Sequence, residues 1–472
     1  MGSFLSSPSS KAQARGHGEL SQTEGCKRLR MSSASYDDLS PRLIPYLPDE
    51  ISVQILARVP RAHYLKLKSV SRRWKAAITS SEVFDVRKEL KTTEEWLYIL
   101  AHAEEYRLCW YALDPLSGIW QRLPPMPDFV SNEESKRVSG LRMLNVMGST
   151  IRIADVIRGW LGRRDALDRM PFCGCAIGAA DGCLYVLGGF SRSSAMSCVW
   201  RYDPILNMWQ EVSSMKTARA FCKTSLLNGK LYVVGGVSRG RGGLTPLQSA
   251  EVFDPETELW EQMPNMPFSK AQILPTAFLA EMLKPIATGM TSFMGKLCVP
   301  QSLYSWPFFV DVGGEIYDPE ANSWVDMPAG MGEGWPAKQA GTKLSVVVNG
   351  ELYALDPSSS LDNSNIKIYD HQDDSWKVVI AKVPLHDFTD TESPYLLAGF
   401  LGKLHVIVKD SNSETAVLEA DIKTRLSEAP STSTPSTSSV PTVSVAETDI
   451  WKVIATKNFG AAELVSCQVL DI

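Results

Sequence analysis

Cysteine and histidine are side chains that could bind a metal ion, but their spacing in this sequence does not fit a metal site. The chain has nine cysteines and six histidines. Cys173 and Cys175 are separated by one residue, not by the two of a Cys-x-x-Cys pair, and no histidine stands at ligand spacing. An odd, irregularly spaced set of cysteines predicts buried, reduced thiols in an intracellular protein, with no disulfide framework, metal or other cofactor.

A glycine-rich stretch, Gly235–Gly243, includes Arg239 and Arg241 and offers backbone amides that could cradle a phosphate. A phosphate-binding loop, however, ends in Gly-Lys-Ser/Thr and is followed by a helix. This stretch lacks that ending, and the residues after it favour a strand. We therefore interpret it as a mobile hairpin loop.

A repeated sequence motif indicates the secondary-structure elements that would position such side chains. Asp181–Gly189 and Asn228–Gly236 each place a short apolar run before a Gly-Gly pair, and each leads to an aromatic-Asp-Pro triplet and a tryptophan. Four looser copies lack the Gly-Gly pair. The tryptophans of the six units are Trp120, Trp209, Trp260, Trp324, Trp376 and Trp451. A recurring unit of about fifty residues that holds several short strands predicts stacked β-units.

The residue types within each unit suit a buried sheet. Apolar runs such as Leu184–Leu187 predict strands that are buried on both faces. Gly188 and Gly189 let the backbone turn and approach where a side chain would clash. The tryptophan supplies a large apolar body between neighbouring sheets. We interpret these residues as residues of the fold and not of a binding site.

The pattern resembles the kelch repeat over roughly residues 95 to 472. The resemblance implies a mainly β fold, a six-bladed β-propeller with four strands in each blade. The first unit begins at Trp96 with its second strand, so its first strand must come from elsewhere. We predict that the strand-like run Ala461–Leu470 pairs into the first blade and closes the ring, which removes exposed sheet edges.

The residues before the repeats predict a small helical module. Pro48 suits the first turn of a helix, two acidic residues follow it, and Pro60 ends the helix. Further short helices are predicted at Ala62–Lys68 and from about Ser71. Three helices in about forty residues bury only a marginal core, so such a module usually needs a partner to cover its apolar surface.

This module resembles an F-box over roughly residues 43 to 90, through Leu47-Pro48-Asp49-Glu50-Ile51 and the later Arg73-Trp74 pair. The F-box family docks onto the Skp-type adaptor of cullin-RING ubiquitin ligases. The resemblance makes the following residues candidates for adaptor contact: Leu47, Pro48, Ile51, Leu56, Val59, Pro60 and Leu65. Val70 and Trp74 fit adaptor contact and the internal core equally well.

An F-box followed by kelch repeats resembles the plant F-box/kelch-repeat proteins. The arrangement implies the substrate-recognition subunit of an SCF-type cullin-RING E3 ubiquitin ligase: the F-box docks the adaptor, and the propeller binds a target protein for ubiquitination. Such a subunit is not itself catalytic. A non-degradative interaction scaffold stays open as an alternative, because it would use the same surfaces. A propeller enzyme is disfavoured, since the repeats lack the paired histidines of a copper oxidase and the Asp-box repeats of a sialidase.

Alternating strand directions place the loops after the second and fourth strands of each blade on one face. The chain enters the first blade at the start of a second strand, so the F-box should lie on the opposite face. The first face carries the large insertions. Within these we predict amphipathic helices at Ile153–Leu161 and Pro275–Lys284, the second ended by Pro285.

We assign target binding to the face with the insertions, through Arg239, Arg241 and Trp306. Arginine and aromatic residues are favoured at binding hot spots. The alternative is that the inserted helices cap the channel and the aromatic residues pack beneath them.

Charge and composition exclude some classes of partner. Residues 1–95 carry a net charge of +5 and the remainder −10. Arg58–Lys75 holds seven basic residues and no acidic one, which is too few for nucleic-acid binding and predicts a solvated face awaiting an acidic partner. No run of eighteen apolar residues and no signal peptide is present, so we expect no membrane span.

The chain therefore divides into three predicted regions. Residues 1–40 are serine-rich and predicted to be disordered, 41–92 form the F-box, and 93–472 form the propeller, with a disordered Ser/Thr/Pro-rich loop at 427–448. The first residues fit a loose pattern for myristoylation of Gly2, and a short basic stretch, Lys27–Arg30, could assist nuclear import. We expect the protein in the nucleus, the cytoplasm or both.

Overall fold

The computed structural model describes most of the helical module and of the six repeats. The residues described are 42–102, 108–127, 174–191, 194–240, 243–269, 284–305, 308–335, 344–356, 365–380, 383, 395–409, 414–422, 450–460 and 462–472. The chain divides into a short first unit, residues 1–49, and a second unit, residues 50–472. In the first unit a backbone turn joins Leu47 to Ile44, and the Leu43 amide donates to the Asp49 carboxylate at 2.8 Å.

Short helices form the module that precedes the sheets. They are α1 Asp49–Ala57, a 3₁₀ turn Arg61–His63, α2 Tyr64–Leu67, α3 Arg72–Ile78 and α4 Ser81–Leu90. Ser71 caps α3, because its side chain accepts the amide of Trp74. Lys91, at a φ of 52°, ends α4 in the left-handed region. The structure thus adds a fourth helix, α4, to the three that the sequence predicts.

Six antiparallel sheets follow as blades, five of them four-stranded and one, blade 4, five-stranded. Blade 1 is β29 Glu463–Asp471, β1 Glu95–His102, β2 Leu108–Leu113 and β3 Trp120–Arg122; blade 2 is β4 Ala176–Ala180, β5 Cys183–Leu187, β8 Val199–Asp203 and β9 Met208–Val212; blade 3 is β10 Lys223–Leu227, β11 Lys230–Val234, β14 Ala250–Asp254 and β15 Leu259–Met263. Blade 5 is β21 Ser345–Val348, β22 Glu351–Asp356, β23 Asn365–Asp370 and β24 Ser375–Ile380; blade 6 is β25 Leu396–Phe400, β26 Lys403–Lys409, β27 Glu414–Ala420 and β28 Trp451–Asn458.

Blade 4 departs from the pattern. Its long strands β18 Lys296–Ser305 and β19 Phe308–Asp318 are flanked by β20 Ser323–Asp326 on one side. On the other side two short strands, β16 Lys284–Ala287 and β17 Thr291–Phe293, share β18. A short helix, α5 Ala329–Glu333, follows the blade. Lys284 and Pro285 therefore belong to a strand, which corrects the predicted end of the helix at 275–284; the residues before Lys284 lie outside those described.

The first strands of the blades form a closed inner ring. In order they are β29, β4, β10, β17, β21 and β25, each contacts the next, and β25 contacts β29. Apolar clusters lie between neighbouring blades and join them. This arrangement is the six-bladed, mainly β propeller that the repeats predict.

One strand from the far end of the sequence closes the ring. β29 pairs with β1, for example Leu97 opposite Val469, as expected for the run Ala461–Leu470. The backbones of Glu94 and Ile472 extend the pairing with two mutual hydrogen bonds of 2.8 and 3.0 Å. Because the first blade takes its innermost strand from β29, blades 1 and 6 share one buried cluster.

The repeated tryptophans join neighbouring blades. In blades 2 to 5 the indole N–H donates to a backbone carbonyl that follows the preceding blade, at 2.8 to 3.0 Å. The donors are Trp209, Trp260, Trp324 and Trp376. In blades 1 and 6 the indole N–H groups of Trp120 and Trp451 have no partner among the described residues. The four middle joints therefore carry a polar contact in addition to apolar packing.

The two Gly-Gly pairs occupy positions that exclude a side chain. Gly188 has a φ of 59°, and a Cβ there would lie 2.2 Å from the carbonyl oxygen of Arg219. Gly236 has a φ of 87°, and its Cβ would lie 2.6 Å from that of Ala220. Only glycine fits such a left-handed, crowded backbone. Each pair thus ends the second strand where the next loop crosses it.

Candidate functional site

The helical module presents an uncovered apolar surface. α1 buries Val53, Leu56 and Ala57 against the rest of the module. On its other side Ile51 and Ile55, one turn apart, are 43% and 41% exposed. Apolar groups exposed on both α1 and the following elements are typical of a surface that a partner covers.

The predicted adaptor contacts divide between surface and core. Leu65 is 64% exposed and Ile51 is exposed, whereas Leu56 is 1% exposed and belongs to the core of the module. Val59 and Pro60 are half-buried. Leu47 is half-buried and Pro48 exposed in the first unit of the chain. Of the two residues that fitted either role, Val70 is exposed and Trp74 half-buried.

A buried arginine, Arg87, ties the module together. Its guanidinium donates to the carbonyl oxygens of Ala57 and Val59 at 3.1 and 2.9 Å, and to the hydroxyl of Tyr64 at 3.0 Å. A cation suits these carbonyls because they end α1. Burial is the main cause that raises the pKa of Tyr64, so its hydroxyl stays protonated. The sequence predicts none of these contacts, since a buried arginine breaks the apolar pattern of α4.

Glu94 lies where the module meets the propeller. Its carboxylate is 3.3 Å from the Arg87 guanidinium, and it accepts the Arg61 amide and the Trp96 indole N–H, both at 3.2 Å. The backbone of Glu94 also carries the pairing with Ile472. One residue therefore contacts the module through its side chain and the closing strand through its main chain.

The module rests on two turns of blade 2. The Arg61 guanidinium donates to the carbonyl oxygen of Pro204, and the Lys68 ammonium donates to that of Ile205 at 2.9 Å. Lys88 pairs with Asp181 at 2.7 Å. Asp181 lies in the turn after the first strand, and Pro204 and Ile205 lie in the turn after the third. These turns are on the face opposite the loops that follow the second strands, as the topology predicts.

Apolar packing accompanies these polar contacts. Phe84 of α4 packs against the apolar cluster between blades 1 and 2. A Cβ on Gly182 would lie 2.8 Å from the Phe84 ring. The basic run that the sequence predicts as a solvated face awaiting an acidic partner thus supplies Arg61 and Lys68 to carbonyls of the same chain. Burial lowers the pKa of Lys68 at this contact.

Three hairpins stand on the opposite face. β6 Phe190–Ser191 pairs with β7 Ser194–Ala195, β12 Val237–Gly240 pairs with β13 Gly243–Pro246, and β18 pairs with β19 as far as Ser305 and Phe308. The hairpin of blade 2 contacts that of blade 3, because β7 touches β12, and β13 in turn touches β16 of blade 4. The insertions of blades 2 to 4 therefore adjoin one another.

One of the three predicted target-binding residues lies in a described hairpin. The backbone of Arg239 lies in β12, whereas Arg241 and Trp306 lie outside the described residues. Outside them also lie Gly2, the basic stretch 27–30, the predicted helix at 153–161 and the Ser/Thr/Pro-rich loop at 427–448.

Neither a metal centre nor a membrane helix is found in the described part of the chain. No three His, Cys, Asp or Glu side chains there come close enough to hold a metal ion together. No helix there is both long and apolar enough to cross a bilayer.

Comparison with known proteins gives matches to both regions. The profile of the F-box domain matches residues 44–85, and that of the FKB95, Kelch-repeats domain matches residues 163–429. An F-box/kelch-repeat protein of Arabidopsis thaliana is 60% identical over the full length of both chains. The F-box protein AFR of the same plant is 27% identical over 67% of this chain and 69% of its own. An F-box joined to kelch repeats suggests a substrate adaptor, and proteins of this kind are typically non-catalytic.

Proposed function

Since the chain belongs to the F-box/kelch-repeat protein family, we propose that it is the substrate-receptor subunit of an SCF-type cullin-RING ubiquitin ligase. In this role the F-box binds a Skp-type adaptor, and the propeller binds the protein to be ubiquitinated. The single observation that carries the proposal is the uncovered apolar surface of the helical module. We expect the complex in the nucleus, the cytoplasm or both.

The adaptor-binding surface proposed here consists of exposed residues of the module. Ile51 and Leu65 are its most informative members, because both are candidates from the sequence and both are exposed. Burying such side chains against a partner supplies the apolar area on which a specific interface depends. Leu56 contributes indirectly, since it holds α1 in place from the core.

Co-purification with a Skp-type adaptor tests this role. We expect the Ile51→Ala/Leu65→Ala variant to bind about 100-fold more weakly than the unaltered chain, because a few central apolar residues carry most of an interface's energy. A matched control is Leu259→Ala in β15 of blade 3, which removes a leucine of the same 64% exposure from the propeller. Equal binding by the double variant and the control would overturn the proposed surface.

Ubiquitin transfer separates the receptor from the scaffold. A receptor bound to the complete ligase should direct ubiquitin onto a propeller-bound protein, whereas a scaffold should leave that protein unmodified. We place target binding on the face with the three hairpins and propose Arg239, Arg241 and Trp306 as contacts. Target binding that survives alanine at all three positions, with the propeller still folded, would refute this placement.

A further inference from the structure

We infer that Arg61, Lys68 and Glu94 are positioning residues that fix the helical module on blade 2. An adaptor bound to the module would then stand at a set place relative to the hairpin face. This consequence for the ligase rests on the proposed function, but the fixed attachment itself does not.

The connection between the two parts is short. α4 ends at Leu90 and β1 begins at Glu95, so only four residues lie between them. Both ends of this connection are held: the Thr92 hydroxyl donates to the carbonyl of Ala57 at 2.9 Å, and the Glu94 backbone pairs with Ile472. A flexible linker would leave such groups to water.

The contacts across the junction are charge-assisted and partly desolvated. Arg61 joins both sides, because its backbone amide donates to Glu94 while its guanidinium reaches Pro204 and lies 6.0 Å from the Trp96 ring centre. Lys68 holds the adjacent carbonyl of the same turn. Hydrogen bonds that involve an ionised group are about twice as strong as neutral ones. Two adjacent anchors on one turn, together with Phe84 beside Gly182, oppose both sliding and rotation of the module.

The adaptor surface and the junction use different residues. Ile51 and Leu65 are exposed, whereas Arg61, Lys68 and Glu94 face the propeller and the closing strand. Releasing the junction should therefore leave adaptor binding intact and change only where the adaptor stands. Ubiquitin transfer requires a lysine of the target to reach the ubiquitin-loaded enzyme. A fixed position of the adaptor relative to the propeller therefore restricts which target lysines are modified.

A distance measurement on the full chain tests the inference without any partner. Ala76 in α3 and Gln372 in the turn before β24, both exposed, are each replaced by a keto-containing amino acid to which a spin label is attached. The distance between the two labels is then measured. Thiol-reactive labels are unsuitable because the chain has nine cysteines. The unaltered chain should give one narrow distance distribution. Arg61→Ala/Lys68→Ala should widen it at least about twofold, with the melting temperature of the propeller unchanged, because the lost anchors lie outside the blades.

Two further variants complete the test. Lys66→Ala removes an exposed lysine from α2 and should leave the distribution narrow. Glu94→Gln removes the charge opposite Arg87 and should widen it as well. A distribution that is already broad in the unaltered chain, or that stays narrow in Arg61→Ala/Lys68→Ala, would overturn the inference. Adaptor binding measured on Arg61→Ala/Lys68→Ala reports separately on the proposed function, since this variant keeps the Arg87–Glu94 pair and the exposed surface and should still bind.

Discussion

Glu251 of blade 3 and Glu315 of blade 4 occupy the same place in neighbouring blades, three residues before the aspartate of the aromatic-Asp-Pro triplet, and both are buried. Both accept backbone amides from the segment that follows the preceding blade. Glu251 accepts those of Lys216 and Thr217, at 2.7 and 3.0 Å, and Glu315 accepts that of Ser269, at 2.9 Å. Both carboxylates therefore link their own blade to the segment that follows the preceding blade.

Their side-chain partners differ. Glu251 pairs at 2.5 Å with Arg219, which is fully buried and also donates to the carbonyl oxygens of Gly235 and Ser249. Glu315 instead accepts the side-chain amide of Gln301, at 2.9 Å. Among the described residues it has no cationic partner. Burial is the main cause that raises the pKa of Glu315 from its ordinary value of 4.5.

The lack of a Gly-Gly pair in blade 4 explains why Gln301 lies next to Glu315. Aligning the second strands from Leu231 and Leu297 places Gln301 where blade 3 has Gly235, and Ser302 where it has Gly236. In blade 3 the strand ends before the pair, and a separate hairpin follows. In blade 4 the strand continues to Ser305, with a register shift between Pro300 and Ser302. Loss of the Gly-Gly pair thus lengthens the strand and supplies a new partner for the carboxylate.

The largest expected effect comes from removing the cation of blade 3. Arg219→Met leaves Glu251 buried without its counter-charge, which should lower the free energy of unfolding by about 3–5 kcal/mol. Urea unfolding of the full chain measures it. Arg201→Met is the control, because its pair with the half-exposed Glu258 should contribute less than about 1 kcal/mol. Equal losses of unfolding free energy in the two variants would mean that the buried Arg219–Glu251 pair stabilises the fold no more than the Arg201–Glu258 pair.

A second variant removes the conformational freedom of blade 3. Gly236→Ala places a Cβ against the Ala220 carbonyl at a positive φ, and we expect a loss of about 3 kcal/mol in unfolding free energy. Gly229→Ala has a similar φ of 75° but open space around its Cβ, so its loss should be about 1 kcal/mol. Thermal or urea unfolding of both variants separates crowding from backbone strain, and identical values would exclude crowding.

The amide of blade 4 is the subject of the third prediction. Gln301→Leu removes one of the hydrogen bonds to Glu315 while roughly preserving side-chain size, and should cost about 2 kcal/mol of unfolding free energy at neutral pH. Gln248→Leu, at an exposed position, should change stability little. An unaltered stability in Gln301→Leu would show that the amide is not the functional substitute for Arg219.

The smallest effect is expected from Glu315 itself, and it depends on pH. A carboxyl group whose pKa is raised by folding favours the folded state most at low pH, and this contribution is lost as the pH rises through the raised value. At neutral pH Glu315→Gln should therefore be more stable than the unaltered chain by about 1 kcal/mol. The gain should shrink as the pH falls toward 4.5.

Urea unfolding between pH 4.5 and 8 checks this dependence, with the surface variant Glu256→Gln as the control. A stability difference for Glu315→Gln that does not change with pH would contradict the raised pKa of Glu315.

Most of the fold follows from local sequence patterns. The repeated tryptophans and Gly-Gly pairs predict the six blades, and the missing first strand of unit one predicts the pairing of β29 with β1. The predicted helix boundary at Lys284 is wrong, because Pro285 lies in a strand and does not end a helix. Proline also suits a strand that pairs on one side, and among the described strands β16 pairs with β18 alone.

The junction is beyond the reach of local patterns. Arg61, Arg87 and Glu94 find their partners across the chain, and no spacing rule connects Arg61 with Pro204. The basic run from Arg58 to Lys75 marks the region but not the partner, which turned out to be backbone carbonyls and not acidic side chains. The sequence does not predict the fourth helix either, because the buried Arg87 interrupts the apolar pattern of α4.

The pairing of β29 with β1 also constrains the order of events during synthesis. Roughly 370 residues separate the two strands, and at about 5–20 residues per second their emergence from the ribosome is roughly 20 to 75 seconds apart. Through that interval β1 has an unpaired edge, which is a template for aggregation. Until Ile472 is synthesised, the Glu94 backbone lacks its hydrogen-bond partner, and Phe84 lacks part of the apolar cluster against which it packs. The nascent chain therefore displays the F-box before it has a finished ring, and chaperones have a defined window in which to guard it.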